Sequence, residues 1–319
     1  MKHTKKSTNK ASFDIATLQY YIKEQSKIIY PKFNQLDERF GELHPSSYPF
    51  CGLEHAWNII NDIKRTPIDY FGDFYTSTGT VMHELMQRQF GRGKKILGDW
   101  KCLSCGRKKK LAYYSKCSKC NSEHVEYEEL GIHFGKYTFG HVDGVVNIDG
   151  KLYVIDYKTS SVKNNNKHRE TGKQYPYKHN AAQIKSYCVY LEEEYELKIH
   201  GWILIYVSRD HNINDFVCVG DVIDEEEKAK LKKKYKQYDK SFGRAEKLRT
   251  ETDKHEKMRI VTKLIKKKPC ESLKDYKEEF WEGYEIKCPL ADSKICFNSD
   301  KLLLAFEKKI LGSKTVNRL

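Results

Sequence analysis

The chain has 319 residues, 39% of them hydrophobic, and a formal charge of +14 from 58 lysines and arginines against 44 acids. That content supports one large or two modest domains in water, and no apolar run is long enough to span a bilayer. The opening MKHTKKSTNKAS lacks the pattern of a secretory signal, which predicts a soluble, cytoplasmic protein, and the excess of cations favours nucleic acid over a membrane surface as partner.

Ten cysteines in such a chain point to metal or iron–sulfur ligation rather than to disulfides. The first dozen residues read as a basic tail that either touches phosphates or merely solubilises the chain. Ile15, Leu18, Ile22 and Ile28 stand near helical spacing and predict a helix between Phe13 and Phe40. A breaker-rich stretch from His44 to Cys51 leads into a second helix that begins near Gly52 and carries Ala56, Ile59, Ile60 and Ile63. Cys51, just before that helix, is either a small buried cap or a ligand. Thr78 to Phe90 predicts a third helix with Met82, Leu85, Met86 and Phe90 as its core stripe and His83 at the stripe's edge.

Two CxxC knuckles follow, Cys102 with Cys105 and Cys117 with Cys120, separated by eleven residues. Paired knuckles of this kind suit tetrahedral thiolate coordination of zinc across a short ribbon. Arg107, Lys108, Lys109, Lys110, Tyr113 and Tyr114 between them mix cations with aromatics as nucleic-acid grooves do, although a purely structural clip has the same signature. Glu126 to Ile132 predicts the strand returning from the ribbon, with His133 to Tyr137 as connection, and either Glu128 or Glu129 as a further carboxylate.

Gly140 to Ser160 reads GHVDGVVNIDGKLYVIDYKTS, two β-rich runs around Asp149-Gly150, the signature of a hairpin with a two-residue type I′ turn. If Ile148 faces Lys151, then Asp143 faces Asp156, with Cβ atoms about 5 Å apart, an arrangement that is destabilising unless a cation neutralises it. Lys158 projects from the same face two residues further on. The stretch after Ser160 is polar and predicts a loop bordering the site, with Lys163, Lys167, His168, Arg169 and Lys173 available to guide a nucleic acid. A helix then carries Ala181, Ile184, Cys188 and Leu191 inward, with Gln183 and Tyr187 one turn apart, and Trp202 to Val207 predicts a buried strand. Asp224 to Lys268 reads as a densely charged surface helix or helical hairpin. Cys270, Cys288 and Cys296 lie beyond it, whereas Cys188 and Cys218 read as packing residues.

Asp143 followed by Asp156-Tyr157-Lys158 resembles the D…(D/E)-x-K core of the PD-(D/E)XK nuclease superfamily, and three further features make it similar to the RecB/AddB-like exonuclease branch found in phages and CRISPR adaptation. These are Gly79 with His83, Gln183 with Tyr187 about 25 residues beyond Lys158, and one cysteine before the core with three after it. The resemblance implies an α/β, restriction-endonuclease-like αβββαβ core with a mixed central sheet flanked by helices, an inserted zinc ribbon and a helical C-terminal region. It implies domain limits of 1–45 for tail and first helix, 46–223 for a nuclease core with ribbon 98–125, and 224–319 for the rest. It implies Mg²⁺ or Mn²⁺ held by His83, Asp143, Asp156 and the Tyr157 carbonyl, with His83 favouring manganese. Lys158 would then act on water, with Gln183 organising that lysine and Tyr187 associated with DNA. It also implies a [4Fe–4S] cluster on Cys51, Cys270, Cys288 and Cys296. Seventeen and then seven residues separate the last three, unlike the family's compact C-x-x-C spacing.

The function implied is a metal-dependent deoxyribonuclease, an exonuclease before an endonuclease, in the host cytoplasm if phage-encoded. Its partners would be single-stranded or duplex DNA ends, with replication or recombination proteins as further candidates. An inactive zinc-ribbon DNA-binding or adaptor protein on a nuclease scaffold is the competing reading, and RNA is not excluded as substrate.

Overall fold

A computed structural model of the chain describes residues 41–63, 77–87, 96–210, 215–268, 270, 274 and 288–312. The helix expected between Phe13 and Phe40 lies outside them.

The central sheet is built from β1 (Ile96–Cys102), β2 (Lys108–Tyr113), β3 (Val125–Glu128), β6 (Gly144–Ile148), β7 (Lys151–Ser160), β8 (Ile199–Ser208) and β9 (Phe216–Val222). Its order is β2-β1-β6-β7-β8-β9, with β3 also on β1, and β4 (Leu130–Phe134) with β5 (Thr138–Val142) forms a separate two-stranded sheet. Every pairing is antiparallel except β7 with β8. The helices are α1 (Gly52–Ile60), α2 (77–87), α3 (Val162–Thr171), α4 (Lys178–Tyr195), α5 (Glu225–Thr250), α6 (Lys254–Ile265) and α7 (Ser299–Ile310). In chain order α2 precedes strands β1 to β7, α3 and α4 follow, and β8 returns parallel to β7, in a mixed α/β, mostly antiparallel fold.

Alternation along the strands divides the apolar residues between the two faces. On one face Val154, Leu204 and Tyr206 meet Ile184, Tyr187, Cys188 and Leu191 of α4. On the other, Ile155, Tyr157, Ile205 and Val207 pack with Ile96, Trp100 and Met86 of α2. A third apolar cluster joins α1, the end of α5, α6 and α7 and contains Cys51, Cys270, Cys288 and Cys296.

Several segments differ from expectation. The returning strand is two strands in different sheets, broken at Glu129, and β4 runs on to Phe134, so the connection shortens to a turn around Gly135. The ribbon has no boundary of its own at its stem, because β1 continues into the main sheet through Ile96↔Val146 and Leu97↔Val145. The polar stretch after Ser160 contains α3, too hydrophilic to show an apolar stripe. It is held instead by its ends and one polar anchor: the Ser161 side chain accepts from Asn164 N, Gly172 takes a left-handed φ of 66°, and buried Asn165 accepts from Tyr175 OH at 2.8 Å. Leu85, expected in the core stripe of α2, is 41% exposed, whereas Met86 is buried. The charged α5 is no mere surface helix. Tyr235, Tyr238, Phe242, Ala245 and Leu248 recur at three- and four-residue intervals and are all buried. Edge strand β9 was not expected, and its Cys218 is exposed rather than packed.

Candidate active site

The turn at Asp149 and Gly150 has both φ values positive, 51° and 81°, and Ile148 pairs with Lys151 as the type I′ signature requires. The ladder ends at Gly144↔Ile155, which makes Asp143 and Asp156 the next opposed pair. The β4–β5 hairpin extends the pattern: its ladder ends at Leu130↔Val142, so the next pair is Glu129 and Asp143. Asp143 is therefore the middle of three carboxylates, common to the bases of two hairpins. The β4–β5 hairpin is pinned at its far end. Asp239 of α5 accepts from Lys136 N, Tyr137 N and Thr138 Oγ1 at the tip of β4–β5, at 3.0, 2.7 and 3.1 Å.

Helix α2 lays two side chains across this cluster, one turn apart. His83 Nε2 stands 2.5 Å from the Tyr157 carbonyl oxygen and 3.3 Å from Asp143 Oδ2. Gln87 Nε2 donates to Glu129 Oε1 at 2.6 Å and to Asp143 O at 3.3 Å. Ligand atoms of His83, Glu129 and Asp143 lie within 4.8 Å of one another. Opposite them, Lys158 Nζ lies 2.9 Å from Asp156 Oδ2 and donates to Gln183 Oε1 at 2.8 Å. Gln183 Nε2 in turn donates to Tyr187 OH at 2.8 Å. Tyr187 is buried, so it braces the glutamine from behind and offers no DNA-facing surface. An open cavity of about 410 Å³ reaches His83, Glu129, Tyr157 and Lys158.

Electrostatics shows what this arrangement lacks. Asp143 and Asp156 are 6% and 1% exposed, and Lys158 touches Asp156 while its charge reaches Asp143. Burial and then the charge of Asp156 push the Asp143 carboxyl well above its ordinary range, against the pull of Lys158 and the Tyr157 N–H, which donates to Asp143 Oδ2 at 2.7 Å. Asp156 Oδ2 has no hydrogen bond of good geometry. Three carboxylates, a carbonyl and an imidazole make a donor set for a hard divalent cation, with the Lys158 ammonium beside it. Glu129 is the residue that sequence reasoning left undecided against Glu128. Facing-pair arithmetic selects it once the three-residue loop Gly135 to Tyr137 sets Phe134 opposite Thr138. Glu128 faces away and pairs with Lys108 at 2.7 Å.

The four knuckle cysteines form a second ligand group. Cys102 and Cys120 Sγ are 3.6 Å apart, as are Cys105 and Cys117 Sγ. Thiolates about 2.3 Å from a tetrahedral zinc would stand about 3.8 Å apart, so the quartet fits that ion. Backbone N–H groups of Cys120 and Lys119 donating to Cys117 pull its thiol down to about 6, whereas that of Cys120, against the pull of the Ser122 N–H, is pushed up to about 12 by desolvation and the three neighbouring sulfurs. Cys51, Cys270, Cys288 and Cys296 are gathered in the helical cluster, and all are buried. Burial pushes the Cys51 thiol up to about 12, opposed by N–H groups of Glu54 and Leu53. Among the described residues no three of these four thiols come close enough to share a single ion.

No family model and no curated protein matches the chain. Among solved structures, the alkaline exonuclease LHK-Exo from Laribacter hongkongensis aligns with 66% of this chain and 93% of its own, at 10% identity and a TM-score of 0.37, a likeness too slight to carry weight. No helix among the described residues is long and apolar enough to cross a membrane.

Proposed function

We propose that the chain is a metal-dependent deoxyribonuclease of the PD-(D/E)XK type, RecB/AddB-like, acting as an exonuclease on DNA ends in the cytoplasm. The observation that carries this reading is the row of Glu129, half-buried, with Asp143 and Asp156, both buried, left with more negative charge than Lys158 offsets, beside an open cavity. A stable fold gains nothing from opposed buried carboxylates unless a cation belongs there.

His83, Glu129, Asp143, Asp156 and the Tyr157 carbonyl would hold Mg²⁺ or Mn²⁺. When bound, such a cation supplies Lewis acidity to a phosphoryl oxygen and makes a neighbouring water more acidic. Lys158 orients that water and stabilises charge developing on the phosphate. Gln183 keeps the lysine on the cavity side, and Tyr187 fixes the amide of Gln183. Residues 46–223 then form the nuclease core with ribbon 98–125, and 224–319 the supporting helices. Zinc occupies the knuckles, and Cys51, Cys270, Cys288 and Cys296 hold a [4Fe–4S] cluster.

The test is to incubate anaerobically purified protein with end-labelled single- and double-stranded DNA, and with closed circles, in Mg²⁺, Mn²⁺ or chelator. Metal-dependent release of label from linear DNA with circles intact is expected. No cleavage in any metal would falsify the nuclease reading, and cut circles would make it an endonuclease. A visible chromophore bleached by reductant is expected for the cluster; a colourless protein with two zinc ions per chain overturns that assignment.

A further inference from the structure

One short strand joins the two ligand groups. β3 has four residues and pairs with β1 alone, with Cys102 opposite Val125 at one end and Asp99 opposite Glu128 at the other. Just before Val125 the chain is tied to the knuckles: Leu103 N donates to His124 O at 2.8 Å and Cys117 N to Ser122 O at 2.9 Å. Just after Glu128 comes Glu129. At about 3.3 Å per residue, Val125 and Glu129 are about 13 Å apart. Between them β3 has two side chains in contact with the sheet, Tyr127 and Glu128, the latter paired with Lys108 of β2 at 2.7 Å. Tyr127 packs edge-on against Trp100 and lies over Gly98, where any side chain would collide with its ring. Glu126 is exposed. Four residues on a single neighbour hold their register weakly, and because Leu130 on the far side of Glu129 is fixed opposite Val142, a slip of one residue in β3 would be taken up at Glu129 and displace its carboxylate.

We propose that the thiolate knuckles position Glu129: zinc on Cys102, Cys105, Cys117 and Cys120 fixes the register of β3 and thereby sets the affinity of the carboxylate cluster for its divalent cation. This rests on the two metal sites of the reading above. The cysteines are positioning residues, remote from the reacting atoms, and Gln87 completes their work by holding the Glu129 carboxylate once the strand has delivered it. Zinc loading thus becomes a precondition for tight binding of the catalytic cation.

Full-length protein tests this by Mn²⁺ affinity, read from the EPR signal of the free ion, together with zinc content per chain. Cys120→Ser should lose its zinc and weaken Mn²⁺ binding about tenfold, the size expected for a lost outer-shell support. Glu129→Gln should weaken it by at least as much. The double variant should bind no more weakly than Glu129→Gln alone, because the knuckles act through that carboxylate. Losses that multiply, or unchanged Mn²⁺ affinity in Cys120→Ser, overturn the proposal. If circular dichroism shows Cys120→Ser misfolded, wild-type protein stripped of metals is refilled with Mn²⁺ alone or with one equivalent of zinc added. Weaker Mn²⁺ binding without zinc is expected, and equal binding overturns the proposal. Wild-type protein that takes zinc but no Mn²⁺, or Mn²⁺ but no zinc, also overturns it, and shows which site was misread.

Discussion

The two ligand groups at the ends of β3 are opposites in chemistry and in assembly. The thiolates are soft donors from two adjacent turns of one ribbon, partly open to solvent, with backbone N–H groups already directed at the sulfur of Cys117. The carboxylates are hard donors brought from three segments of chain, and Asp143 and Asp156 are buried where their repulsion is felt in full. The first arrangement needs only local folding; the second exists because the whole sheet enforces it. Strain that only the complete fold can impose belongs with chemistry, whereas a locally closed clip belongs with support.

That contrast can be broken most sharply at Lys158. Lys158→Ala is expected to lower end-labelled DNA cleavage about 10³-fold with DNA binding and melting temperature nearly kept, since the lysine acts in the transition state. Full cleavage by the purified variant sinks the assigned chemistry. Next in size, Gln87→Ala should raise the Mn²⁺ dissociation constant about tenfold in titration calorimetry by freeing Glu129; unchanged affinity would make Gln87 a bystander. Asp156→Asn should abolish cleavage yet raise the melting temperature of metal-free protein by roughly 2–4 °C at a pH high enough to remove the Asp143 proton, because there it relieves a buried like-charge contact. A lower melting temperature would mean that the pair is not strained.

The smallest effect is with pH. The folded chain binds a proton at Asp143 more tightly than the unfolded chain does. Metal-free stability is therefore greatest below the ordinary carboxylate pKa and falls as pH rises through the raised value of Asp143. A cation replaces that proton, so the Mn²⁺-induced gain in melting temperature should be larger at about pH 8 than at about pH 5.5. A gain that is flat or inverted with pH would show that Asp143 is not a ligand.

The parts of the molecule differ in how openly the sequence states them. Asp149-Gly150 fixes a two-residue turn, so the Asp143 and Asp156 pairing follows by counting, and the cysteine knuckles announce themselves by spacing. The strand break at Glu129 leaves only a slight mark: Val125 and Tyr127 share one parity, Leu130 and Ile132 resume on the other after the Glu128-Glu129 doublet, and the departure of β4 to pair with β5 is what divides the run. Helix α3 is silent for a different reason. Its stability comes from two caps and the buried amide of Asn165 rather than from an apolar stripe, and polarity without periodicity reads as loop. In α5 the dense lysines hide an aromatic stripe, Tyr235, Tyr238 and Phe242, that only becomes informative once a surface for it exists.

The β4–β5 hairpin leaves the main sheet between two of the three carboxylates and returns between the same two. Its length is consequently free to change by matched additions to both arms, which move the tip away from Asp239 and leave the base as it is. One extra residue in a single arm is a different event, since it reverses which side of the strand every later residue occupies on that arm. Tolerance to insertion in this protein should therefore obey parity: additions in twos spare the chemistry, and an odd one removes it.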